Sequence, residues 1–344
     1  MSGRRLTMVE ALREALSEEM RRDASVFLMG EDLQIGGGFQ VTLGLVDEFG
    51  PERVRNTPLA ETGFTGAAIG AALVGMRPVI EYQYGDFIFC AMDQLVNEAA
   101  KLRYMSGGQV SVPIVVRVPT GASGRAAQHA QSLEGHFLHV PGLKLVLPAT
   151  PYDAKGLLIA SLRDNNPVLF FEHKLLYGTQ GRDTAESPLL HTEVPEGSYT
   201  VDLGRAHVVR EGGDVSIVAT LLMVHRSLEA AEGLAADGIE AEVIDLRTLV
   251  PLDVATILRS VEKTGRLVVA EEGPRTGGWG AEVAARVASE GVGYLNAPIE
   301  RVAGPDVPVP FSPPLEAAVV PSAEQICNAV LQLMQPGQRK GATR

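Results

Sequence analysis

Short, nearly continuous apolar runs alternate with helix-like segments along most of this chain. Residues 25–30, 112–118 and 168–172 are three such runs. A strand that is apolar on both faces is buried on both faces, and this is the pattern of a parallel sheet covered by helices. The sequence therefore predicts an α/β fold in which the sheets are mainly parallel and doubly wound.

The alternation occurs in two units, which are separated by a segment that lacks it. Between Tyr177 and Gly204, acidic residues, prolines and glycines replace the apolar runs, as is typical of a surface linker. A length of 344 residues also favours two domains of about 150–200 residues. We expect an α/β domain at residues 1–185, a linker at 186–204, a second α/β domain at 205–336 and a flexible tail at 337–344.

Composition and charge argue against several classes of protein. The net charge of −12 at pH 7 disfavours nucleic-acid binding, which requires a basic surface. No apolar run reaches the roughly 18 residues of a membrane span. The basic first residues are followed by acidic ones, unlike a signal or transit peptide, and Cys90 and Cys327 form no disulfide framework. We therefore expect a cytoplasmic protein that binds neither nucleic acid nor membrane.

One carboxylate, Glu61, lies where a loop is expected to become a helix, just before a segment rich in glycine and alanine. On that helix Gly63, Gly66, Ala67 and Gly70 share one face, because residues three and four apart are neighbours. Such a face lets another backbone, a sheet or a flat ligand approach closely. A carboxylate beside it is partly desolvated and can hold a proton near neutral pH. Helix capping by Glu61 is an equally good interpretation of this segment alone.

Two further segments are candidates for ligand binding. His129 lies in the loop after a predicted parallel strand, and ligands bind at the carboxyl ends of such strands. A hydrogen-bonded structural histidine is the alternative at this position. Residues 164–167 form a turn by composition, and such a turn can also direct carbonyl groups at a cation. The glycines at 36–38 match neither a dinucleotide fingerprint nor a phosphate-binding loop.

Eight short segments carry a family resemblance when they are taken as an ordered set. They are residues 29–32, 56–61, 93–101, 128–132, 141–144, 163–167, 242–248 and 263–266. Together they resemble the β subunits of the thiamine-diphosphate-dependent 2-oxoacid dehydrogenases, of the pyruvate, branched-chain and acetoin types. The resemblance runs from about Leu6 to Met334. It implies that the first domain is a pyrimidine-binding domain and that the second resembles the transketolase C-terminal domain.

The resemblance implies catalytic roles for Glu61 and His129. Glu61 is expected to give a proton to a ring nitrogen of the cofactor's aminopyrimidine, so that the exocyclic amine can take the proton from the thiazolium carbon. Leu59, Gln83 and Phe87 are expected to line the pyrimidine, with Phe87 packed on it. His129 matches a histidine near the substrate that is expected to assist acyl transfer to lipoamide. With the resemblance, chemistry is favoured over capping for Glu61.

The resemblance also implies two metal sites. A potassium site made mainly of backbone carbonyls maps to Ile114, Ser161, Leu162, Asp164 and Asn166. Thiamine enzymes hold diphosphate through magnesium with a Gly-Asp-Gly sequence and a later Asn pair, and this chain has no Gly-Asp-Gly. We therefore expect an α subunit to supply the Mg²⁺ ligands, so that the active site forms across the interface. The glycine face would then contact the partner; packing on the chain's own sheet is the alternative.

The function implied is that of the β subunit of an α2β2 heterotetramer, in a complex with a lipoyl acyltransferase core and dihydrolipoyl dehydrogenase. The expected reaction is oxidative decarboxylation of a 2-oxoacid with acyl transfer to lipoamide. Pyruvate is favoured, and a branched-chain 2-oxoacid or acetoin is the alternative. The second domain is expected to dimerise and to help dock the core.

Two other interpretations stay open. One is a split transketolase-like protein, for which Arg125 is the one hint of a basic sugar-phosphate loop. The other is a non-catalytic assembly subunit that has kept the fold. The presence of Glu61, Phe87 and His129 argues against the non-catalytic interpretation.

Overall fold

A computed structural model describes residues 4–178 and 190–335. The first domain and the described part of the predicted linker contain β1 (Arg5–Leu6), α1 (Met8–Arg22), β2 (Val26–Gly30), α2 (Leu45–Phe49), β3 (Val54–Asn56), α3 (Glu61–Leu73), β4 (Arg77–Glu81), α4 (Leu102–Met105), β5 (Val115–Thr120), α5 (Glu134–Leu138), β6 (Lys144–Val146), α6 (Pro151–Arg163), β7 (Val168–His173) and β8 (Thr192–Glu193). The second contains β9 (His207–Arg210), β10 (Val215–Ala219), α7 (Leu222–Ala236), β11 (Ala241–Asp245), β12 (Thr248–Val250), α8 (Val254–Thr264), β13 (Leu267–Pro274), α9 (Trp279–Glu290), β14 (Glu300–Gly304), α10 (Pro313–Val319) and α11 (Ala323–Met334). None of these helices has the length and apolar character needed to cross a membrane.

The first sheet has the strand order β12-β6-β7-β5-β4-β2-β3, and all neighbours from β6 to β3 run parallel. Its register pairs Val79 of β4 with Val115 of β5, and Val115 with Val168 of β7. β5 and β7 are buried along their whole length, as their continuous apolar runs predict. Because these strands run in one direction, their carboxyl ends lie along a single edge of the sheet.

The second sheet has the order β14-β13-β10-β11-β9, and only β9 among its strands is antiparallel to its neighbour. The two mainly parallel sheets with covering helices confirm the α/β class. One strand departs from the expected division of the chain. β12 comes from the second half of the sequence but pairs antiparallel with β6 of the first sheet. Its three residues carry no local signal for that pairing, which depends on the packing of the two domains.

α1 has apolar residues at helical spacing and begins with a capping box, whose sequence signature is Thr7 followed three residues later by Glu10. The Thr7 side chain accepts from the Glu10 amide, and the Thr7 amide donates to the Glu10 carboxylate at 2.8 Å. Leu12 and Leu16 are fully buried and pack in one hydrophobic cluster with Leu158 of α6. Each such leucine stabilises the fold by about 2 kcal/mol. α1 and α6 therefore form one helical layer over the first sheet.

The segment from Phe87 to Tyr104 has the sequence pattern of one long helix, but the structure divides it into three pieces. A 3₁₀ segment (Gly85–Ala91) and a π-helix (Gln94–Ala99) precede α4. Close backbone packing accompanies the change. A Cβ on Gly142 would collide with the Ala100 carbonyl, directly after the π-helix. Tertiary packing of this kind, which local helix propensity does not contain, decides the type of helix here.

The described part of the predicted linker packs on the first domain. β8 pairs antiparallel with β1, and Val194 and Val201 are buried. The Val201 amide donates to the Gly156 carbonyl of α6 at 3.1 Å. Residues 190–204 are thus attached to the first domain rather than free on its surface. The rest of the predicted linker up to residue 189 and the predicted tail at 337–344 lie outside the described residues.

A charged cluster is buried within the first sheet, on the three adjacent central strands β4, β5 and β7. Arg117 of β5 is 1% exposed and lies between Glu81 of β4 and Glu172 of β7. Its Nε and Nη2 donate to the two oxygens of Glu172 at 2.8 and 2.7 Å. The Tyr177 hydroxyl donates to the same carboxylate at 2.7 Å. The burial of Glu81 raises the pKa of its carboxyl, so the Arg117 ion pair is needed to keep it charged.

Candidate active site

Four loops meet at the carboxyl-terminal edge of the first sheet. Glu31 follows β2, Glu61 follows β3, Gln83 follows β4, and the loop with His129 follows β5. These four strands are adjacent and parallel, so strand order brings together side chains that are far apart in sequence. Gln83 Nε2 donates to Asp32 Oδ2 at 3.1 Å, which joins the loops after β4 and β2.

α3 carries Glu61 at its first position and has two different faces. Phe64 and Ala68 are buried in the core. The opposite face is open: apart from the chain neighbours of Gly70 and the helix's own backbone, no atom of the described residues lies within 4 Å of the position that a Cβ on Gly70 would take. A Cβ on Gly66 would contact only the Gln94 side chain, at 3.8 Å. The alternative in which the glycine face packs on the chain's own sheet is therefore wrong, and a second molecule can reach this face.

Glu31 is a candidate site residue to which the sequence analysis assigned no role. Its side chain is 4% exposed, and neither carboxylate oxygen has a hydrogen-bond partner among the described residues. Burial, followed by the charges of Glu61 and Asp32, raises the pKa of Glu31 to about 7. Its position directly after an apolar strand was the available signal. Glu31 is thus a buried carboxyl group that holds a proton near neutral pH and that is influenced by the charge of Glu61.

An aromatic group surrounds His129. The His129 ring lies edge-on to Tyr84 and to Phe87, at centroid distances of 4.7 and 5.4 Å. Lys174 Nζ donates to the His129 carbonyl at 2.8 Å and lies 5.8 Å from the centre of the Tyr84 ring. Burial lowers the pKa of Lys174 to about 8, and the charge of Asp86 is the largest of the influences that oppose this shift. The sequence placed Phe87 and His129 at the site; Tyr84 and Lys174 are additions from the structure.

Two protein-family models match the chain. "Transketolase, pyrimidine binding domain" matches residues 4–180, and "Transketolase, C-terminal domain" matches residues 204–326. The acetoin:2,6-dichlorophenolindophenol oxidoreductase subunit beta of Cupriavidus necator is 49% identical, over 98% of this chain and 99% of its own length. The pyruvate dehydrogenase E1 component subunit beta of Rickettsia bellii is 48% identical, over 94% and 97%. The chain belongs to the family of the 2-oxoacid dehydrogenase β subunits.

Other relatives agree with this membership. The 2-oxoisovalerate dehydrogenase subunit beta of Bacillus subtilis is 45% identical, over 96% of this β-subunit chain and 99% of its own length. A solved structure named "Split gene transketolase, inactive beta4 tetramer" superposes with a TM-score of 0.76 at 25% identity, covering 96% of this chain and 98% of that one. The resemblance expected from the sequence and the two-domain transketolase-like fold are both confirmed.

The residues of the expected potassium site lie at the opposite edge of the same sheet. They are Ile114, Ser161, Leu162, Asp164 and Asn166. Ile114 directly precedes β5. Ser161 and Leu162 lie in the last turn of α6, and Asp164 and Asn166 lie in the turn between α6 and β7. Arg77 already donates to the carbonyls of Leu162 and Asp164, at 2.9 and 2.6 Å, and Lys144 pairs with the Asp164 carboxylate at 2.5 Å. A carbonyl oxygen has two lone pairs, so these carbonyls can still accept a cation. The potassium site stays a prediction.

The residues expected to hold the pyrimidine fit a flat, nitrogen-containing ring. Leu59, 80% exposed, and the half-buried Phe87 offer apolar surface, and the half-buried Glu61 offers an acid. The oxygens of Glu31 have no hydrogen-bond partner in the part of the chain that the structure describes. The open glycine face gives a planar group room to approach. The residues present therefore fit a ring that is bound through apolar contact and that exchanges a proton at a carboxyl group.

The raised pKa of Glu31 predicts a pH-dependent effect on stability. The folded chain keeps a proton that the unfolded chain releases near pH 4.5, so stability falls as pH rises from about 4.5 to about 7. Glu31→Gln removes this loss. We expect the unfolding free energy of the variant, relative to that of the original chain, to increase by about 2 kcal/mol between pH 5 and pH 8. Urea unfolding at both pH values measures it, and a difference that does not change with pH would contradict the assignment.

Proposed function

We propose that this β subunit takes part in oxidative decarboxylation of a 2-oxoacid and acyl transfer to lipoamide, with thiamine diphosphate bound between it and an α subunit. The observation that carries the proposal is Glu61, the first residue of α3, which lies beside the buried carboxyl of Glu31 and an open glycine face. A carboxyl in such a place suits proton exchange with a cofactor ring. Identities of 45–49% to proteins named as β subunits of pyruvate, acetoin and 2-oxoisovalerate enzymes support it.

Thiamine diphosphate supplies, when bound, an electron sink for the electrons released as carbon dioxide leaves. The chain's own residues bind and orient its pyrimidine. Phe87 packs on the ring, with Leu59 and Gln83 at its border. The Glu61 carboxyl holds a proton at the ring nitrogen, and the raised pKa of Glu31 keeps a second carboxyl protonated nearby.

His129 acts on the substrate side of the same site. Its ring is held edge-on by Tyr84 and Phe87, and its backbone carbonyl is held by Lys174. A histidine can give or take a proton near pH 7. We assign to His129 the proton transfer that accompanies movement of the acyl group to the dithiolane sulfur of lipoamide. This makes the enzyme an oxidoreductase with a disulfide as acceptor.

The α subunit supplies the Mg²⁺ and diphosphate ligands, because this sequence lacks the Gly-Asp-Gly triplet. The surface of α3 supports a contact of this kind. Leu59 before the helix and Val74 after it are 80% and 81% exposed, and the face with Gly66 and Gly70 is open between them. A glycine face permits close packing of a partner helix, and two exposed apolar residues add area that favours burial.

The wider assembly is proposed from the same family. Two α and two β subunits form a heterotetramer in the cytoplasm. The second domain of the β subunit dimerises and helps dock a lipoyl acyltransferase core, with which dihydrolipoyl dehydrogenase is associated. Val292 and Tyr294, which follow α9, are 65% and 40% exposed and offer apolar surface on that domain. A potassium ion at the carbonyls of Ile114 and residues 161–166 would stabilise β5 and β7 without touching the reaction, because it lies at the opposite edge of the sheet.

The proposal is tested by assaying the chain alone and after co-expression with an α subunit. Pyruvate, 2-oxoisovalerate and acetoin are compared, with thiamine diphosphate and Mg²⁺ present or withheld. We expect activity only when both subunits and both cofactors are present, with pyruvate the preferred substrate by kcat/KM. Full activity of the chain alone would contradict the shared site. A higher kcat/KM for either other substrate would reassign the enzyme to that type.

A second candidate is a split transketolase-like activity. The structural neighbour named as a split gene transketolase and the presence of Arg125 in the His129 loop favour it. If all three substrates are inert, transfer of a two-carbon unit between sugar phosphates is measured with the same two subunits. Activity there, and loss of it in Arg125→Ala, would replace the first proposal.

A further inference from the structure

Hydrogen bonds from both domains hold the loop that carries His129, residues 121–131. It contains no helix or strand. Ala122, Ala127, Ala130 and Gln131 line one wall of a cleft of about 730 Å³, and the second domain forms the opposite wall. Ala122 and Ala130 are buried, but a segment without helix or strand has no regular backbone hydrogen bonding of its own, so its conformation also depends on the hydrogen bonds that other elements supply.

Part of this hydrogen bonding comes from the first domain and holds the two ends of the loop. The Gly121 amide donates to the Gln131 carbonyl at 3.1 Å, and the Thr120 hydroxyl donates to the same carbonyl at 2.8 Å. Lys174 Nζ donates to the His129 carbonyl at 2.8 Å. These bonds close the base of the loop and hold its carboxyl-terminal side.

The amino-terminal side of the loop is held by the second domain. The Ala122 amide donates to Glu272 Oε1 at 2.7 Å, and the Gly124 amide donates to both oxygens of Glu316, at 3.0 and 2.9 Å. Glu272 is fixed in place, since its other oxygen is 2.7 Å from the buried His173 Nε2. Glu316 is half-buried on α10, a short helix with no buried residue.

We propose that Glu316 is a positioning residue for His129. By accepting the Gly124 amide it fixes the tip of the loop, so the alignment of His129 in the first domain depends on a side chain of the second. A charged acceptor makes this bond stronger than one between neutral groups. The inference rests on the proposed role of His129 in acyl transfer, and it adds a requirement for the second domain in that step.

The experiment compares Glu316→Ala, which removes the acceptor, with Glu316→Gln, which keeps a side-chain carbonyl able to accept the Gly124 amide. Glu232→Ala, on an exposed position of α7, is the matched control. All are assayed as the complex with the α subunit, by lipoamide-linked turnover and by direct reduction of 2,6-dichlorophenolindophenol. Amide hydrogen exchange of residues 121–131 is followed in the same complexes.

We expect Glu316→Ala to lower kcat of the lipoamide-linked reaction about tenfold, the size expected when a hydrogen bond to a charged group is lost. The dye-linked rate and the KM for the 2-oxoacid should change less than about threefold, because a dye does not need the acyl transfer that His129 assists. Exchange at residues 121–131 should accelerate. Glu316→Gln should restore at least half of the kcat, and Glu232→Ala should behave as the original chain.

A double-mutant cycle separates positioning from a general structural effect. If Glu316 acts through His129, Glu316→Ala has no further effect on lipoamide-linked kcat in a His129→Gln background. Additive losses, equal losses in both assays, or unchanged exchange of the loop would each overturn the inference. If the original complex is inactive with every 2-oxoacid and with acetoin, both the proposed function and the role assigned to His129 are wrong. If the original complex is active and Glu316→Ala is equally active, only the positioning role of Glu316 is refuted.

Discussion

Glu61→Gln is expected to lower the turnover of the α–β complex by a factor of about 10²–10⁴, the usual contribution of a positioned acid or base. The amide keeps the size of the side chain but cannot exchange a proton with the pyrimidine nitrogen. Glu61 is half-buried at the first position of α3. The measurement is steady-state kcat with saturating thiamine diphosphate and Mg²⁺.

The interpretation of Glu61 as a helix cap predicts a different result. Loss of one favourable charge at a helix N-terminus costs about 0.3–1 kcal/mol of stability and leaves turnover unchanged. Glu282→Gln is the matched control, since Glu282 is an exposed acid in the first turn of α9. Light scattering should show the same assembly for all three proteins. Full turnover of Glu61→Gln would contradict the catalytic role, whereas its loss with assembly preserved excludes a non-catalytic subunit.

Arg117→Met is expected to destabilise the first domain by about 3–5 kcal/mol at pH 7, which is the typical effect of breaking a buried ion pair. The arginine is 1% exposed and is the cation between Glu81 and Glu172, which are 5% and 0% exposed. Without it, two buried carboxylates face each other at the middle of the sheet. The unfolding free energy measured by urea denaturation reports the loss.

Two comparisons show whether burial is the cause. Arg286→Met breaks an ion pair with Glu290 in which both side chains are more than 40% exposed, and it should cost less than about 1 kcal/mol. The combined variant Glu81→Gln, Arg117→Met, Glu172→Gln should recover part of the lost stability, because no buried charge is left uncompensated. A loss of under about 1 kcal/mol in Arg117→Met alone would show that water reaches the cluster.

Local signals in the sequence predicted most of the regular structure. β5 and β7 were found from continuous apolar runs, and α1 from its helical spacing and its Thr7–Glu10 capping box. Glu61 was expected where a loop becomes a helix and is the first residue of α3. These predictions succeeded because strand burial, helix periodicity and capping each depend on residues within a few positions of one another.

The features that were missed all depend on distant residues. β12 belongs to the first sheet because two domains pack together, and the segment after Tyr84 becomes a 3₁₀ and a π-helix where other backbones approach it. The sequence shows that residue 31 is a glutamate, but the raised pKa of its carboxyl follows from burial and from the charge of Glu61, which lies thirty positions later in the chain. No local pattern in the sequence contains the burial of Glu31 or its proximity to Glu61.

The sequence by itself therefore determined the fold class, the two-domain order, the family and the acid at the start of α3, because short-range patterns encode them. Only the tertiary structure decided that the glycine face of α3 is open, that Glu31 is a second carboxyl of the site, and that Glu272 and Glu316 hold the His129 loop from the other domain. These depend on which surfaces are buried and on which loops the parallel strand order brings to one edge. Both are set by contacts between residues far apart in the chain.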